Sequence, residues 1–172
     1  MDITNRSSLY TTIYILFFPR RCMKDIPLNE ITLRKYEKPT GLEKRELVRK
    51  ICLSIGLLQL GDSRDSIVDI VLVLIEGHKQ KETLSSDEIR NRVEQIRKRY
   101  SLEIKGLAES NIRRQLKRLH DAMLIEKKDN VYSLSEQRSL KEIFEYNIEK
   151  FVIPQIIERV KEYLEVLEQE NH

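Results

Sequence analysis

The chain has 172 residues, 40% of them hydrophobic and 34% charged, with two cysteines and three histidines. That length supports one well-filled core with a small appendage, and two widely separated cysteines, Cys22 and Cys52, exclude a disulfide framework. With no C-x-x-C and no histidine at ligand spacing, neither a metal site nor any cofactor is expected, and a reducing, cytoplasmic setting is the default.

The formal net charge is only +3, but it is unevenly spread. Residues 1–50 carry 11 Lys and Arg against 6 Asp and Glu, residues 51–85 carry 3 against 5, residues 86–128 carry 12 against 7, and residues 129–172 carry 5 against 10. Two basic segments, the first and the third, are therefore candidates to meet a polyanion, and the acidic last segment is expected to keep away from one.

The chain divides into an N-terminal extension over 1–41, a helical domain over 42–136 and C-terminal helices over 137–172. Leu9 to Phe18 is the most apolar run, at ten residues. A spanning helix needs about 20, so the run does not cross a membrane. It also lacks a signal-peptide cleavage site, and Arg20-Arg21 follow rather than precede it. Three readings fit it: an added strand, an aggregation-prone tail, or residues 1–22 as a start-site artefact of a protein that begins at Met23.

Ile26 to Thr40 predicts a short strand centred on Ile31 and Leu33 and closed by Pro39 and Gly41. Its Arg34, Lys35 and Lys38 make it either a basic arm on a phosphate backbone or a solvated lead into the first helix. From Leu42 to Leu58 the helical spacing places Leu47, Ile51 and Ile55 on one face, with Val48 and Cys52 beside them. Asp62 or Ser63 can cap the next helix, which is apolar nearly all round from Ile67 to Ile75 and so belongs at the centre of the domain, with Gly77 as its end. Thr83-Leu84 fits a short strand. Ser85-Ser86-Asp87-Glu88 is a capping box, and Ile89, Val93 and Ile96 form the inward stripe of the helix it opens. That helix runs to about Tyr100, flanked by Arg90, Arg92, Arg97, Lys98 and Arg99, and Ser101 to Lys105 forms a turn.

The following stretch carries the candidate function. Ile112, Leu116, Leu119 and Met123 repeat at four, three and four, which makes one apolar stripe on a helix over 108–122. About 100° of rotation per residue puts Ser110, Arg114, Lys117, Arg118 and Asp121 on the opposite face, with Asn111 and Arg113 on its flanks. Residues 124–135 then read as two short strands around Asp129-Asn130, because both residues tolerate the positive φ of a tight hairpin turn. Lys127 and Lys128 give that hairpin a basic shoulder.

Leu119-His120-Asp121-Ala122-Met123-Leu124-Ile125-Glu126-Lys127, followed by Tyr132-Ser133-Leu134-Ser135, resembles the end of the recognition helix and the wing in winged helix-turn-helix regulators of the MarR and ArsR types. The resemblance covers roughly Asp62 to Glu136. The chain departs from the pattern at Met123, where a helix-ending Gly is usual, and at Ala108, near a common Ser cap. What the resemblance implies is a mainly α fold with a small β-hairpin wing and flanking N- and C-terminal helices, and a transcriptional regulator that binds duplex DNA.

In that reading the helix enters the major groove. Arg113, Arg114, Lys117 and Arg118 neutralise phosphates or bond guanine, Ser110, Asn111 and Gln115 supply polar groups, the amides of the last two suited to adenine, and Lys127 and Lys128 grip the backbone. A protein-docking module of a transcription or chromosome-organising complex has the same features, its cations then merely solvating an outward face. No phosphate-cradling glycine loop, nucleophile elbow or H-E-x-x-H occurs, and no enzyme is expected.

After the hairpin, Leu140, Ile143, Phe144, Ile148 and Phe151 predict an amphipathic helix starting near Ser139, with a break or first-turn position at Pro154. Ile153, Ile157, Val160, Leu164 and Leu167 then alternate spacings of four and three. That seam suits a homodimer through the C-terminal helices, or packing against the chain's own domain.

Overall fold

The computed structural model describes residues 27–59, 61 and 65–170. The Leu9–Phe18 run, Cys22, Met23, Ile26, the caps expected at Asp62 or Ser63, and His172 lie outside the described residues. The fold is mainly helical with a small three-stranded antiparallel sheet. In chain order it comprises α1 (Lys44–Ser54), α2 (Ser66–Lys79), β1 (Leu84–Ser85), α3 (Ser86–Arg99), α4 (Glu109–Asp121), β2 (Ile125–Lys128), β3 (Val131–Leu134) and a 3₁₀ turn (Ser135–Gln137). A long C-terminal helix follows, in three parts: α5 (Leu140–Ile143), a π-helical stretch (Phe144–Val152) and α6 (Ile153–Gln169).

The core is built around α2. Ile67, Val68, Ile70, Val71, Leu72, Val73 and Leu74 are all buried, as an all-round apolar helix must be, each contributing about 1.5–3 kcal/mol by leaving water. α1, α3, α4 and β3 pack around it. Gly77 does not end this helix, which continues to Lys79. A Cβ on Gly77 would lie 3.2 Å from Leu84 Cδ1, so the glycine lets β1 approach the helix closely.

One polar group interrupts that apolar helix. Asp69 is 0% exposed, and its carboxylate accepts from Arg45 Nε at 2.7 Å and from Arg97 Nη1 at 2.5 Å. Asp65, the α2 N-cap residue, makes no capping bond but accepts from Arg45 Nη2 at 2.6 Å and from Arg97 Nη1 at 3.1 Å. Two arginines and two aspartates thus tie α1 and the end of α3 to the start of α2 with balanced charge, which is the condition under which buried ions are tolerated. Arg97 was expected among the cations flanking α3. It is 5% exposed and also donates Nε to the Glu103 carbonyl at 2.7 Å, so it is not available to a ligand.

The buried face of α1 also differs from the expected one. Val48, Cys52 and Leu53 are buried, whereas Leu47 is exposed and Ile51 and Ile55 are only partly covered. Apolar residues on both sides of the wheel leave the choice of face to the packing, and Arg45, on the Val48 side, is turned inward by the aspartates. Burial pushes the Cys52 thiol up to about 12, which leaves it protonated and unreactive at neutral pH.

The segment before α1 forms no strand of the sheet, correcting the expectation for Ile31 and Leu33. It is held by Arg34, whose backbone N–H donates to the Ser54 carbonyl at 2.8 Å and whose guanidinium donates to the carbonyls of Leu53 at 3.0 Å and Leu58 at 3.3 Å. A cation there satisfies carbonyls that the end of α1 leaves open. Arg34 is therefore a clamp on α1 rather than part of a free basic arm.

The C-terminal helix begins with a capping box at Ser139 and Glu142, where the sequence places its start. Ile143 and Ile148 are buried, but the next buried position is Val152, while Phe151 is 54% exposed. The expected face ran through Phe151 because it assumed 3.6 residues per turn; i→i+5 bonding widens the turn and carries the face on by one residue. Backbone angles at Ile143, Phe144, Val152 and Ile153 are all helical. Of the two expectations for Pro154 the first-turn position holds: the helix continues past the proline, which falls in the first turn after the π stretch, where an N–H is least missed.

Candidate nucleic-acid interface

α3, a turn and α4 lead into the β2–β3 hairpin. Ser85 opens α3 with the complete capping box, its Oγ accepting from Glu88 N–H while the Glu88 carboxylate accepts from Ser85 N–H at 2.7 Å. The Ser85 hydroxyl, which donates to the Glu88 carboxylate at 2.7 Å, and then the Ser85 N–H hold the Glu88 carboxyl below the usual carboxylate range. Ile89, Val93 and Ile96 are buried as expected. The turn ends at Gly106, whose φ of +77° is the left-handed conformation glycine adopts without strain. Its carbonyl accepts from Asn111 Nδ2 at 2.6 Å.

α4 buries Ile112, Leu116 and Leu119 against α2 and α3. Ala108 is its N-cap and makes no side-chain bond. The far end is closed without glycine: Met123 N–H donates to the His120 carbonyl at 2.8 Å and Leu124 N–H to the Leu119 carbonyl at 3.0 Å, the paired bonds of a Schellman end. Met123 itself takes the left-handed conformation, at φ +56°, which costs an L-residue about 1–2 kcal/mol. Its carbonyl is taken by Ser135 Oγ at 3.0 Å and Asn147 Nδ2 at 2.9 Å. Met123→Gly is expected to raise the unfolding free energy by about 1 kcal/mol in urea denaturation. A loss of stability would show that packing of the thioether outweighs the backbone relief.

The hairpin turns at Asp129 and Asn130, both at positive φ, +49° and +62°. Lys128 pairs with Val131 across the turn and Ile125 with Leu134 at the base, a two-residue loop of the kind whose twist matches the strands. β1 pairs on the other edge of β3, giving the order β1-β3-β2.

This frame places the expected site residues as follows. Ser110, Arg113, Arg114, Lys117 and Arg118 are exposed on α4. Arg113 pairs with Glu109 and Lys117 with Asp121 at 3.0 Å, exposed pairs worth about 0–1 kcal/mol that a phosphate can displace. Arg114 is held by a neutral acceptor, Asn111 Oδ1, at 2.8 Å. Arg118 is likewise held by Gln115 Oε1 at 2.9 Å and the Leu57 carbonyl at 2.8 Å. These two guanidiniums are oriented while their charge stays uncompensated by those partners. Lys127 stands 5.8 Å over the Tyr132 ring, its cross-strand neighbour, and Lys128 is exposed beside the turn.

The two amides do not take the places expected for base reading. Gln115 is 5% exposed, inside the domain, with its Nε2 3.4 Å from Asn111 Oδ1. Asn111 is partly buried and spends Nδ2 on the Gly106 carbonyl and on Ser66 Oγ at 3.2 Å. Together they latch the start of α4 to the turn and to α2, and they orient Arg114 and Arg118. The helical wheel puts Gln115 on the border of the apolar stripe, and the polar residue stays buried there because Arg118 donates to its Oε1 and its Nε2 lies against Asn111 Oδ1.

Sequence reasoning missed the Arg34 clamp and the four-residue ion cluster. Asp69 was the available signal, a carboxylate in an otherwise apolar helix, which demands a buried cation. Among the described residues, no group of three or more His, Cys, Asp and Glu comes together to hold a metal ion, and no helix is long and apolar enough to cross a membrane. Comparison with protein-family models, with curated proteins and with solved structures yields no match.

Proposed function

We propose that this is a winged helix-turn-helix protein that binds duplex DNA as a dimeric, cytoplasmic transcriptional regulator, with α4 in the major groove and the β2–β3 hairpin as its wing on the adjoining backbone. The order of α2, β1, α3, α4 and a hairpin that completes the sheet supports the fold. The observation that carries the function is the outer face of α4, where Arg114 and Arg118 are pre-oriented by neutral partners between the exposed Arg113 and Lys117. A B-DNA major groove is about 12 Å wide and admits a helix about 10–12 Å across.

Arg114 and Arg118 are the candidates for guanine O6 and N7, with Arg113, Lys117, Lys127 and Lys128 on phosphates. The test is a salt titration of the full chain on duplex DNA. Six to eight neutralised phosphates give log affinity against log salt a slope of about −5 to −7, with a selected sequence held tighter than random DNA. Absence of binding at low salt would reject the reading.

A second reading, a protein-docking module of a transcription or chromosome-organising complex, has one observation in its favour. Lys127 and Lys128 are matched in the hairpin by Glu126 and Asp129, and α4 has an acidic residue in its first and last turns, Glu109 and Asp121. Mixed charge of this kind suits a protein surface. Failure to bind DNA, with capture of a defined partner lost on Lys117→Glu, would move the assignment there.

A further inference from the structure

Two apolar surfaces of this chain are left open. On α6, Ile157, Val160 and Leu164 are 50%, 52% and 53% exposed, and their spacing of three and four aligns them on one side of the helix. The other is a groove of about 900 Å³ whose walls include Leu33, Tyr36, Leu47, Ile51, Ile55 and Phe144. It lies between the segment before α1, α1 itself and the start of the C-terminal helix. The rotation of α1 described above creates it, since Leu47, Ile51 and Ile55 form the apolar row that the domain does not bury.

The helix and the groove of one chain cannot meet. Phe144 lines the groove, and helical geometry runs on from it through Val152 into α6. At 1.5 Å per residue a straight helix places Ile157 about 20 Å beyond Phe144.

We propose that a second copy of this chain fills the groove with its α6, and that the exchange is reciprocal. Each copy offers one helix and one groove, so a two-fold axis satisfies both at once, as an isologous interface requires. Charge favours this pairing over two α6 helices zipped together. α6 carries Glu158, Glu162, Glu165 and Glu168 against Arg159 and Lys161, so α6 against α6 places acid beside acid. Beside the groove Lys50 pairs with Glu37 at 3.4 Å and Lys141 with Glu145 at 3.6 Å, which leaves Arg34 and Lys35 against Glu149, a net positive sign that complements an acidic helix.

The inference rests on the dimeric part of the function proposed above and specifies which surfaces make the dimer. It is tested on the full chain by sedimentation at micromolar concentration with two variants, Leu47→Glu in the groove and Leu164→Glu on the helix. Both side chains are exposed, and a thermal melt of each variant checks its fold. The wild type is expected to be a dimer and each variant a monomer. An equimolar mixture of the two variants is expected to form dimer again, because the helix of the first still fits the groove of the second.

A Leu47→Glu variant that stays dimeric, or a mixture that gains no dimer, would overturn the pairing. A monomeric wild type overturns it as well, and leaves DNA binding through α4 to be read separately from the salt titration.

Discussion

Asp69→Ala is expected to lower the unfolding free energy by about 3–5 kcal/mol, the cost of leaving buried cations without their counter-charge. Asp69 has no exposed surface and holds both Arg45 and Arg97 at 2.7 and 2.5 Å. Removing it leaves two guanidiniums, 9% and 5% exposed, to share Asp65 alone. For a chain of this size each kcal/mol is worth roughly 2–4 °C, so the melting temperature falls by about 6–20 °C. Urea denaturation of the variant beside the wild type measures it, and a loss below about 1 kcal/mol would mean that water reaches the cluster and replaces the carboxylate.

The same cluster gives stability a pH dependence. Burial acts to raise the Asp65 pKa, but the bonds from Arg45 and Arg97 outweigh it and hold the carboxyl below the usual range. A folded-state pKa below the unfolded one means that the unfolded chain takes up the proton first as pH falls. The contribution of Asp65 is therefore complete above the unfolded value, near pH 4, and disappears as pH drops through the lower folded value. Denaturation midpoints measured from pH 7 down to pH 3 are expected to be flat at first and then to fall. Asp65→Asn is expected to be less stable than the wild type at pH 7 and to show a shallower fall in acid.

Replacing Arg114 and Arg118 together by alanine is expected to weaken DNA binding by about 2–6 kcal/mol, at least some 30-fold, if both read bases. If they lie on phosphates instead, every sequence is weakened alike and the salt slope flattens by about two. The single Arg114→Ala variant isolates the effect on DNA, since its side chain bonds only Asn111 Oδ1 among the contacts described above. Arg118 also anchors the Leu57 carbonyl, so the double variant needs a thermal melt to show that the α1–α2 connection is intact. Unchanged affinity and slope in a folded double variant would refute the assignment of α4 to DNA.

The expectations for the ion cluster and for α4 depend on different levels of the chain. The exposed face of α4 could be read directly, because Ile112, Leu116 and Leu119 repeat at helical spacing and their burial turns Arg114, Lys117 and Arg118 outward. The hairpin was equally legible, since Asp129 and Asn130 accept the positive φ they adopt, and so were the capping box at Ser85 and the helix start near Ser139. Each of these is decided by atoms within a few residues of one another.

The ion cluster was not legible, although all four of its residues stand in plain view. Arg97 and Arg45 look like solvated cations until α1, α2 and α3 meet, and 24 and 28 residues separate Asp69 from its partners. The buried face of α1 and the inward turn of Gln115 have the same origin, whereas the shift from Phe151 to Val152 follows from the π-helical stretch. Local spacing determined by itself which residues of α3 and α4 share a face, where α3 and the C-terminal helix begin and how the hairpin turns. Which face is buried, and which polar groups are drawn in with it, was decided only when distant elements met, because desolvation and ion pairing depend on the neighbours that arrive rather than on residues adjacent in the chain.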